Sequence, residues 1–227
     1  GISNMTSDAD GTIAIGHHAA RYLTTGQYNV AIGQYALDSA TELDKNTAVG
    51  YGTLSSMSGS AGTGLNTAVG YIAGTAVTTG THNTILGANS GNTINTGGYN
   101  TIMGAETAIS LAGGSYNNVI GRRAGYSLSS GGYNTALGST ALYSLQTGAG
   151  SVGLGHAAGY SFTGGGGIFV GYEAGHGVAS GDVVFIGYQS GKRARGTGNT
   201  AMGYGTLYGA DSTAANNTGT NNTAIGQ

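Results

Sequence analysis

The sequence predicts an all-β protein, a parallel β-solenoid of about thirteen coils with about 17 residues in each coil. A five-residue unit, Asn-Thr-Ala-aliphatic-Gly, returns along the whole chain. An apolar residue stands directly before each closing glycine, and a second apolar column follows seven positions after it. A helical fold would need apolar residues at spacings of 3 and 4 with few glycines. The 227 residues include 47 Gly, so helices are not expected.

The closing glycines define the repeat. Their spacing is 17 residues in seven steps and 16 in three, and two insertions lengthen the other steps to 20 and 23. Each glycine ends a short apolar stretch, where the chain needs a positive φ in order to turn. The closing glycines are Gly16, Gly33, Gly50, Gly70, Gly87, Gly104, Gly121, Gly138, Gly155, Gly171, Gly187, Gly203 and Gly226.

Two columns are predicted to point into the coil. The first is the residue directly before each glycine: Ile15, Ile32, Val49, Val69, Leu86, Met103, Ile120, Leu137, Leu154, Val170, Ile186, Met202 and Ile225. The second lies seven residues after it: Leu23, Ala40, Met57, Val77, Ile94, Leu111, Leu128, Leu145, Phe162, Val178, Ala194 and Ala210. Because the columns are half a repeat apart, we expect two inward-facing strands in each coil.

The position two before each glycine is then expected to point outward, because strand side chains alternate between faces. This column carries no charge, so another surface must cover it. A single thin coil also buries little apolar area for the residues it orders. The chain is therefore predicted to be a homo-oligomer, with a subunit interface at Ala31, Ala48, Ala68, Ile85, Ile102, Val119, Phe169 and Phe185.

Asparagine recurs four residues before the glycine. In-register amides can hydrogen-bond from coil to coil, so a structural ladder is a better interpretation than a binding role. The Thr column that follows is interpreted in the same way. The asparagines are Asn29, Asn46, Asn66, Asn83, Asn100, Asn117, Asn134, Asn199 and Asn222.

Composition argues against several function classes. Seven Lys and Arg against nine Asp and Glu do not favour nucleic acid as a partner. No apolar run is long enough to span a membrane, and the N-terminal residues lack the features of a secretion signal. The absence of Cys excludes disulfides and thiolate chemistry. Titratable groups are sparse, so we expect no enzyme, and we assign no catalytic, cofactor-binding or metal-binding residue.

The candidate receptor-binding residues are basic residues that interrupt the repeat and tyrosines that recur with it. Lys192, Arg193 and Arg195 hold three of the seven basic residues and could contact anionic glycans, although a solvated edge is an equal interpretation. Tyr99, Tyr116 and Tyr133 recur in three successive coils. Their rings are suited to contact with sugars, and a packing ladder is the alternative interpretation. In a trimer, three copies of His17 could also meet on the axis as an imidazole metal site.

The motif Asn-Thr-Ala-x-Gly-Tyr, seen at 46–51, 66–71 and 199–204, resembles the repeats of phage tail fibres. Ser151 to Gly155 is similar to the Ser-Val-Ala-Ile-Gly repeats in the heads of trimeric autotransporter adhesins. The resemblance implies a homotrimer of left-handed parallel β-rolls. Here the repeat is longer and Asn-Thr mostly replaces Ser-Val, and the chain shows no coiled-coil stalk or membrane anchor.

These observations predict residues 1–11 as a lead-in and 12–227 as one repeat domain, expected to be part of a longer fibre. The expected function is that of a non-enzymatic, trimeric, receptor-binding segment of a phage tail fibre, located in the virion and attached to host cell-surface glycans. A bacterial trimeric autotransporter adhesin head at the cell surface is the first alternative. An ice-binding solenoid and a structural spacer are alternatives of another class. No cofactor and no membrane insertion are expected.

Overall fold

The computed structural model describes residues 10–59, 64–179, 181–209 and 219–227. Their regular structure consists of thirteen strands of three residues, one directly before each closing glycine, and they contain no helix. The strands are β1 Ile13–Ile15, β2 Val30–Ile32, β3 Thr47–Val49, β4 Thr67–Val69, β5 Thr84–Leu86, β6 Thr101–Met103, β7 Asn118–Ile120, β8 Thr135–Leu137, β9 Val152–Leu154, β10 Ile168–Val170, β11 Val184–Ile186, β12 Thr200–Met202 and β13 Thr223–Ile225. This confirms an all-β parallel solenoid, with about eleven turns.

The chain divides into two compact units, residues 1–116 with β1 to β6 and residues 117–227 with β7 to β13. Within each unit, consecutive strands pair in parallel and in step with the repeat, as where Thr84 lies opposite Thr101 and Thr135 opposite Val152. One domain over 12–227 and the homotrimer remain predictions. Residues 1–9 of the predicted lead-in, and Ala210 of the second apolar column, lie outside the described residues.

The two faces of each strand are the reverse of those predicted. The predicted interface residues Ala31, Ala48, Ala68, Ile85, Ile102, Val119, Phe169 and Phe185 are all completely buried inside the chain itself. The residues directly before the glycines are half-buried or exposed instead. The alternation of strand side chains predicts which residues share a face, but not which face is buried. The Asn column, four residues before the glycine, is buried from Asn29 to Asn199, and the residues two before the glycine lie on the same face. These eight residues therefore form the core and are not available to another subunit.

The second apolar column is buried as predicted, from Leu23 to Ala194. It does not lie on a strand, however, so the expectation of two strands in each coil is wrong. In this part of the coil, residues with left-handed backbone recur at every second position, as at Tyr35 (φ 61°) and Leu37 (φ 51°). Their backbone N–H groups still donate to neighbouring coils, Tyr35 to His17 and Leu37 to Thr53, each at 3.0 Å. The turns thus continue the hydrogen bonding along the solenoid without β geometry.

The core is filled by complementary side-chain sizes. In several coils the position two before the glycine is Ala and the position four after it is Leu, as at Ala48 with Leu54 and at Ala136 with Leu142. Where the first position is Phe, the second is Gly. A Cβ on Gly191 would lie 2.3 Å from the ring of Phe185, so neither site can change alone without a clash or a void.

The closing positions require glycine for two reasons: the backbone has a positive φ there, and the backbone of the next coil approaches closely. Gly187 has φ of 129°, and a Cβ there would lie 2.4 Å from the carbonyl oxygen of Gly203 in the next coil. The same relation recurs within both units, so the chain keeps glycine wherever the coils touch backbone to backbone. None of the described residues belongs to a helix with the length and apolar character needed to cross a bilayer.

Candidate binding surfaces

The outward side chains of the strands form an uncharged surface of mainly aliphatic residues and Thr in each unit, which we call the sheet face. It consists of the residues directly before and three before each closing glycine, and no charged residue occurs among them. Val69, Leu137 and Met202 are 38%, 38% and 44% exposed. A continuous uncharged surface of this kind is typical of an interaction site.

The sheet face also carries the Thr column. Thr47, Thr67, Thr84 and Thr101 follow one another in the first unit with their side chains partly exposed. The column is interrupted elsewhere by Val30, Asn118, Val152, Ile168 and Val184. Thr and aliphatic side chains therefore stand side by side along the face, and the Thr column is a surface feature in the single chain.

Within the first unit, the predicted residues Tyr99 and Tyr116 belong to one aromatic stack. In the first unit His82, Tyr99 and Tyr116 stack with ring centroids 4.5 and 4.9 Å apart and interplanar angles of 11° and 4°. Both faces of the Tyr99 ring are therefore covered by its neighbours. Its edge and hydroxyl remain accessible, so a sugar could contact Tyr99 by hydrogen bonding but not by stacking on the ring. Tyr133 lies in the second unit, where it is 69% exposed.

Sequence reasoning missed two longer aromatic ladders in the second unit. The inner ladder, Tyr126, Tyr143, Tyr160 and His176, has centroid spacings of 4.8 to 5.1 Å. The outer ladder, His156, Tyr172, Tyr188 and Tyr204, has spacings of 5.0 to 5.1 Å. The signal was present in the sequence, because the inner residues stand five positions after a closing glycine and the outer ones stand one position after.

Lys192 is engaged within the chain. Its ammonium forms an ion pair with the carboxylate of Glu173 in the preceding coil, and Gln189 Nε2 donates to the same oxygen at 2.7 Å. The hydrogen bond from Lys192 lowers the pKa of Glu173, and the same bond raises the pKa of Lys192. The Lys192 side chain is only 14% exposed, whereas Arg193 and Arg195 lie on the surface. The predicted basic site is thus reduced to its two arginines.

His17 lies beside His18, with ring centroids 3.8 Å apart. Arg21 contacts His18 and forms an ion pair with Asp38 at 2.9 Å. Partial burial and then the neighbouring His17 lower the pKa of His18. Over the part of the chain that the structure describes, no three His, Cys, Asp or Glu side chains are grouped so as to hold a metal ion. An axial site at His17 would need three copies of the chain and stays a prediction.

Comparison with known proteins yields no relative: no family model matches the chain, and no curated protein or solved structure was found to be similar to it. A functional assignment therefore depends on the three kinds of surface described above. They are the uncharged sheet face, the aromatic ladders and the arginine corner at Arg193 and Arg195.

Proposed function

We propose that the chain is a non-enzymatic segment of a trimeric adhesive fibre, in which copies of the chain pack together through the sheet face. The observation that carries the proposal is this uncharged face, which β1 to β6 present in one unit and β7 to β13 present in the other. The subunit interface proposed here replaces the buried column, because Val69 and Leu137 are accessible where Ala68 and Ala136 are not.

Parallel association of identical chains suits this face. Each coil presents two residues to this face, which are Thr, Val, Ile, Leu or Met except at Asn118, so an aligned copy meets similar residues along the face. Burying such residues removes apolar area from water at about 25 cal/mol for each Å². The threefold symmetry, the left-handed coil and the setting in a phage tail fibre come from the resemblance of the Asn-Thr-Ala-x-Gly repeats. A bacterial adhesin head is the alternative setting with the same geometry.

Receptor contact is proposed for the surfaces left outside the interface. Arg193 and Arg195 can donate to the anionic groups of a host glycan. The hydroxyl edges of Tyr99, Tyr116 and Tyr133 supply further hydrogen bonds. Each contact is weak by itself, and three copies on one rigid fibre would add avidity without a deep pocket.

The first test is the native mass of the 22.2 kDa chain by sedimentation. A species of three times that mass is expected. Leu137→Asp should dissociate it, because a carboxylate would be buried in the interface. Gln146→Asp adds the same charge at an exposed position off the sheet face and should leave the mass unchanged. A wild-type monomer, or equal masses for the two variants, would overturn the proposed assembly.

Receptor binding has a separate test. The double substitution of Arg193 and Arg195 by Ser should reduce attachment to host cells and leave the trimer intact. Substitution of Lys192 is avoided, because it would break the ion pair with Glu173. If the wild-type trimer attaches to no host cell, the structural spacer becomes the better interpretation.

Ice binding is the second candidate function, favoured by the partly exposed Thr side chains of β3 to β6. A flat face of regularly spaced Thr can order water only if no other chain covers it. Thermal hysteresis measured on a monomeric chain would favour ice binding over the adhesive fibre. The absence of hysteresis together with a trimeric mass would exclude it.

A further inference from the structure

The outer ladder of the second unit holds three tyrosines in a parallel, exposed stack. The Tyr188 and Tyr204 rings are 5.0 Å apart between centroids and only 4° from parallel, and Tyr172 and Tyr188 are 5.1 Å apart at 9°. The three side chains are 43 to 61% exposed. They are phenols, aligned and accessible, on consecutive coils.

Backbone hydrogen bonds hold the alignment. Gln189 donates to the carbonyl of Tyr172 at 2.8 Å, and Gly205 donates to the carbonyl of Tyr188 at 2.9 Å. The carbonyls of Tyr172 and Tyr188 are therefore each tied to the residue that follows the next tyrosine of the ladder. The Cα positions cannot drift apart, while exposed side chains still rotate on a fast timescale. This combination gives a high effective concentration of one phenol near the next.

We propose that the outer ladder is a site of oxidative cross-linking, in which Tyr188 and Tyr204 couple to dityrosine. The oxidant is a haem peroxidase with hydrogen peroxide, acting from solution. Each phenol gives up one electron and one proton and becomes a phenoxyl radical. The radicals join through the ring carbons ortho to their oxygens, and the two displaced ring hydrogens return to the oxygens. The peroxide is reduced to two molecules of water.

The ladder selects the pair that reacts. In parallel rings with centroids about 5 Å apart, the ortho carbons of neighbouring residues can reach each other by rotation of the side chains. Tyr35 and Tyr51 in the first unit provide a contrast, because their centroids are 5.9 Å apart and the rings are at 89°. Tyr208 is another contrast, since its ring lies near the Lys192 ammonium at 5.9 Å. Coupling is therefore expected between stacked tyrosines such as Tyr188 and Tyr204, rather than at every exposed tyrosine.

The product would be a covalent cross-link between successive coils. A bond between residues 188 and 204 closes a short loop of the chain and restricts its unfolded state, as other cross-links do. The cross-linked protein is expected to unfold at a higher temperature than the untreated protein. The chain has no Cys, so this chemistry supplies a stabilising bond that disulfides cannot.

The test uses the full-length chain, treated in dilute solution with peroxidase and hydrogen peroxide. Denaturing electrophoresis separates chains linked to one another from those linked internally, which keep the mass of one chain. Trypsin cleaves after Lys192, Arg193 and Arg195, and a glutamyl protease cleaves after Glu173. Residues 174–192 then contain Tyr188 as their only tyrosine. The expected product joins this peptide to the one with Tyr204, with the loss of two hydrogen atoms.

Tyr204→Phe keeps the aromatic stack and should abolish the product, whereas Tyr208→Phe should leave its yield unchanged. Circular dichroism confirms that both variants fold. The urea-unfolded chain should lose the preference for the 188–204 pair. The proposal is overturned by failure to find this cross-link in the folded chain, by equal yields in the two variants, or by the same yield from the unfolded chain.

Discussion

The side-chain amide of Asn46 donates to Oδ1 of Asn29 at 3.2 Å, and the backbone N–H of Asn46 donates to the same oxygen at 3.0 Å. Asn66 repeats both bonds to Asn46, and Asn83 repeats them to Asn66. Each buried oxygen thus accepts two hydrogen bonds from the next coil. The ladder joins side chain and backbone, so it fixes the axial register of the strands that follow it.

Asn83→Ala should destabilise the chain by about 1–3 kcal/mol, because it leaves buried donors and acceptors of the neighbouring coils without partners. Asn83 Nδ2 also donates to the carbonyl of Gly97 at 2.9 Å, so that acceptor is affected as well. Gln34→Ala, at an exposed position of the same unit, should change the free energy of unfolding by less than about 0.5 kcal/mol. Urea denaturation measures both, and equal effects would contradict the ladder's role.

Ala68→Asp and Val69→Asp test which face of the strand is the core. Ala68 is completely buried, so a carboxylate there should prevent folding or cost several kcal/mol. Val69 is 38% exposed on the sheet face, so the second variant should keep the circular dichroism of the wild-type chain while losing self-association. A folded Ala68→Asp together with an unfolded Val69→Asp would restore the opposite assignment.

Phe185 and Gly191 should be strongly coupled in a double-mutant cycle. Phe185→Ala alone should cost about 3–5 kcal/mol by leaving a cavity. Gly191→Leu alone should also be destabilising, because any Cβ there meets the Phe185 ring. Together they reproduce the combination of Ala136 with Leu142, whose backbone has φ of 48° against 62° at Gly191. The double variant should therefore be more stable than the sum predicts, and simple additivity would contradict size complementarity.

Acidification below the ordinary histidine pKa should destabilise the second unit through His176. This half-buried ring stacks on Tyr160 at 5.1 Å, and burial lowers its pKa below 6.5. Between these two pKa values, His176 is protonated in the unfolded chain and neutral in the folded chain. The free energy of unfolding should fall as the pH drops from 6.5 to the folded pKa and should level off below it.

His176→Phe keeps a stacked ring and removes the proton, so it should flatten that part of the pH profile. Glu173, whose pKa is lowered by Lys192, contributes at more acidic pH, below 4.5, and its effect should persist in the variant. Urea titrations across this range provide the measurement. An unchanged slope near pH 6.5 in His176→Phe would assign the effect to another group, such as His18.

Much of the architecture was predictable from spacing alone. The thirteen glycines predicted where each strand ends, and the Asn column predicted the ladder seen from Asn29 onward. These features recur in sequence because each coil must match the next one in register. The size relation between Phe185 and Gly191 could also be predicted, since a Phe in a column of smaller residues requires space elsewhere.

The repeat itself determined the class of fold, the coil length and the register, because identical neighbours impose the same hydrogen bonds on every coil. Only the tertiary structure decided which strand face became the core, since alternation sets relative and not absolute direction. It also decided that Leu37 lies in a left-handed turn, that Tyr99 presents its edge, and that Lys192 is paired with Glu173. Each of these depends on how neighbouring coils pack across the repeat, which spacing along the chain does not specify.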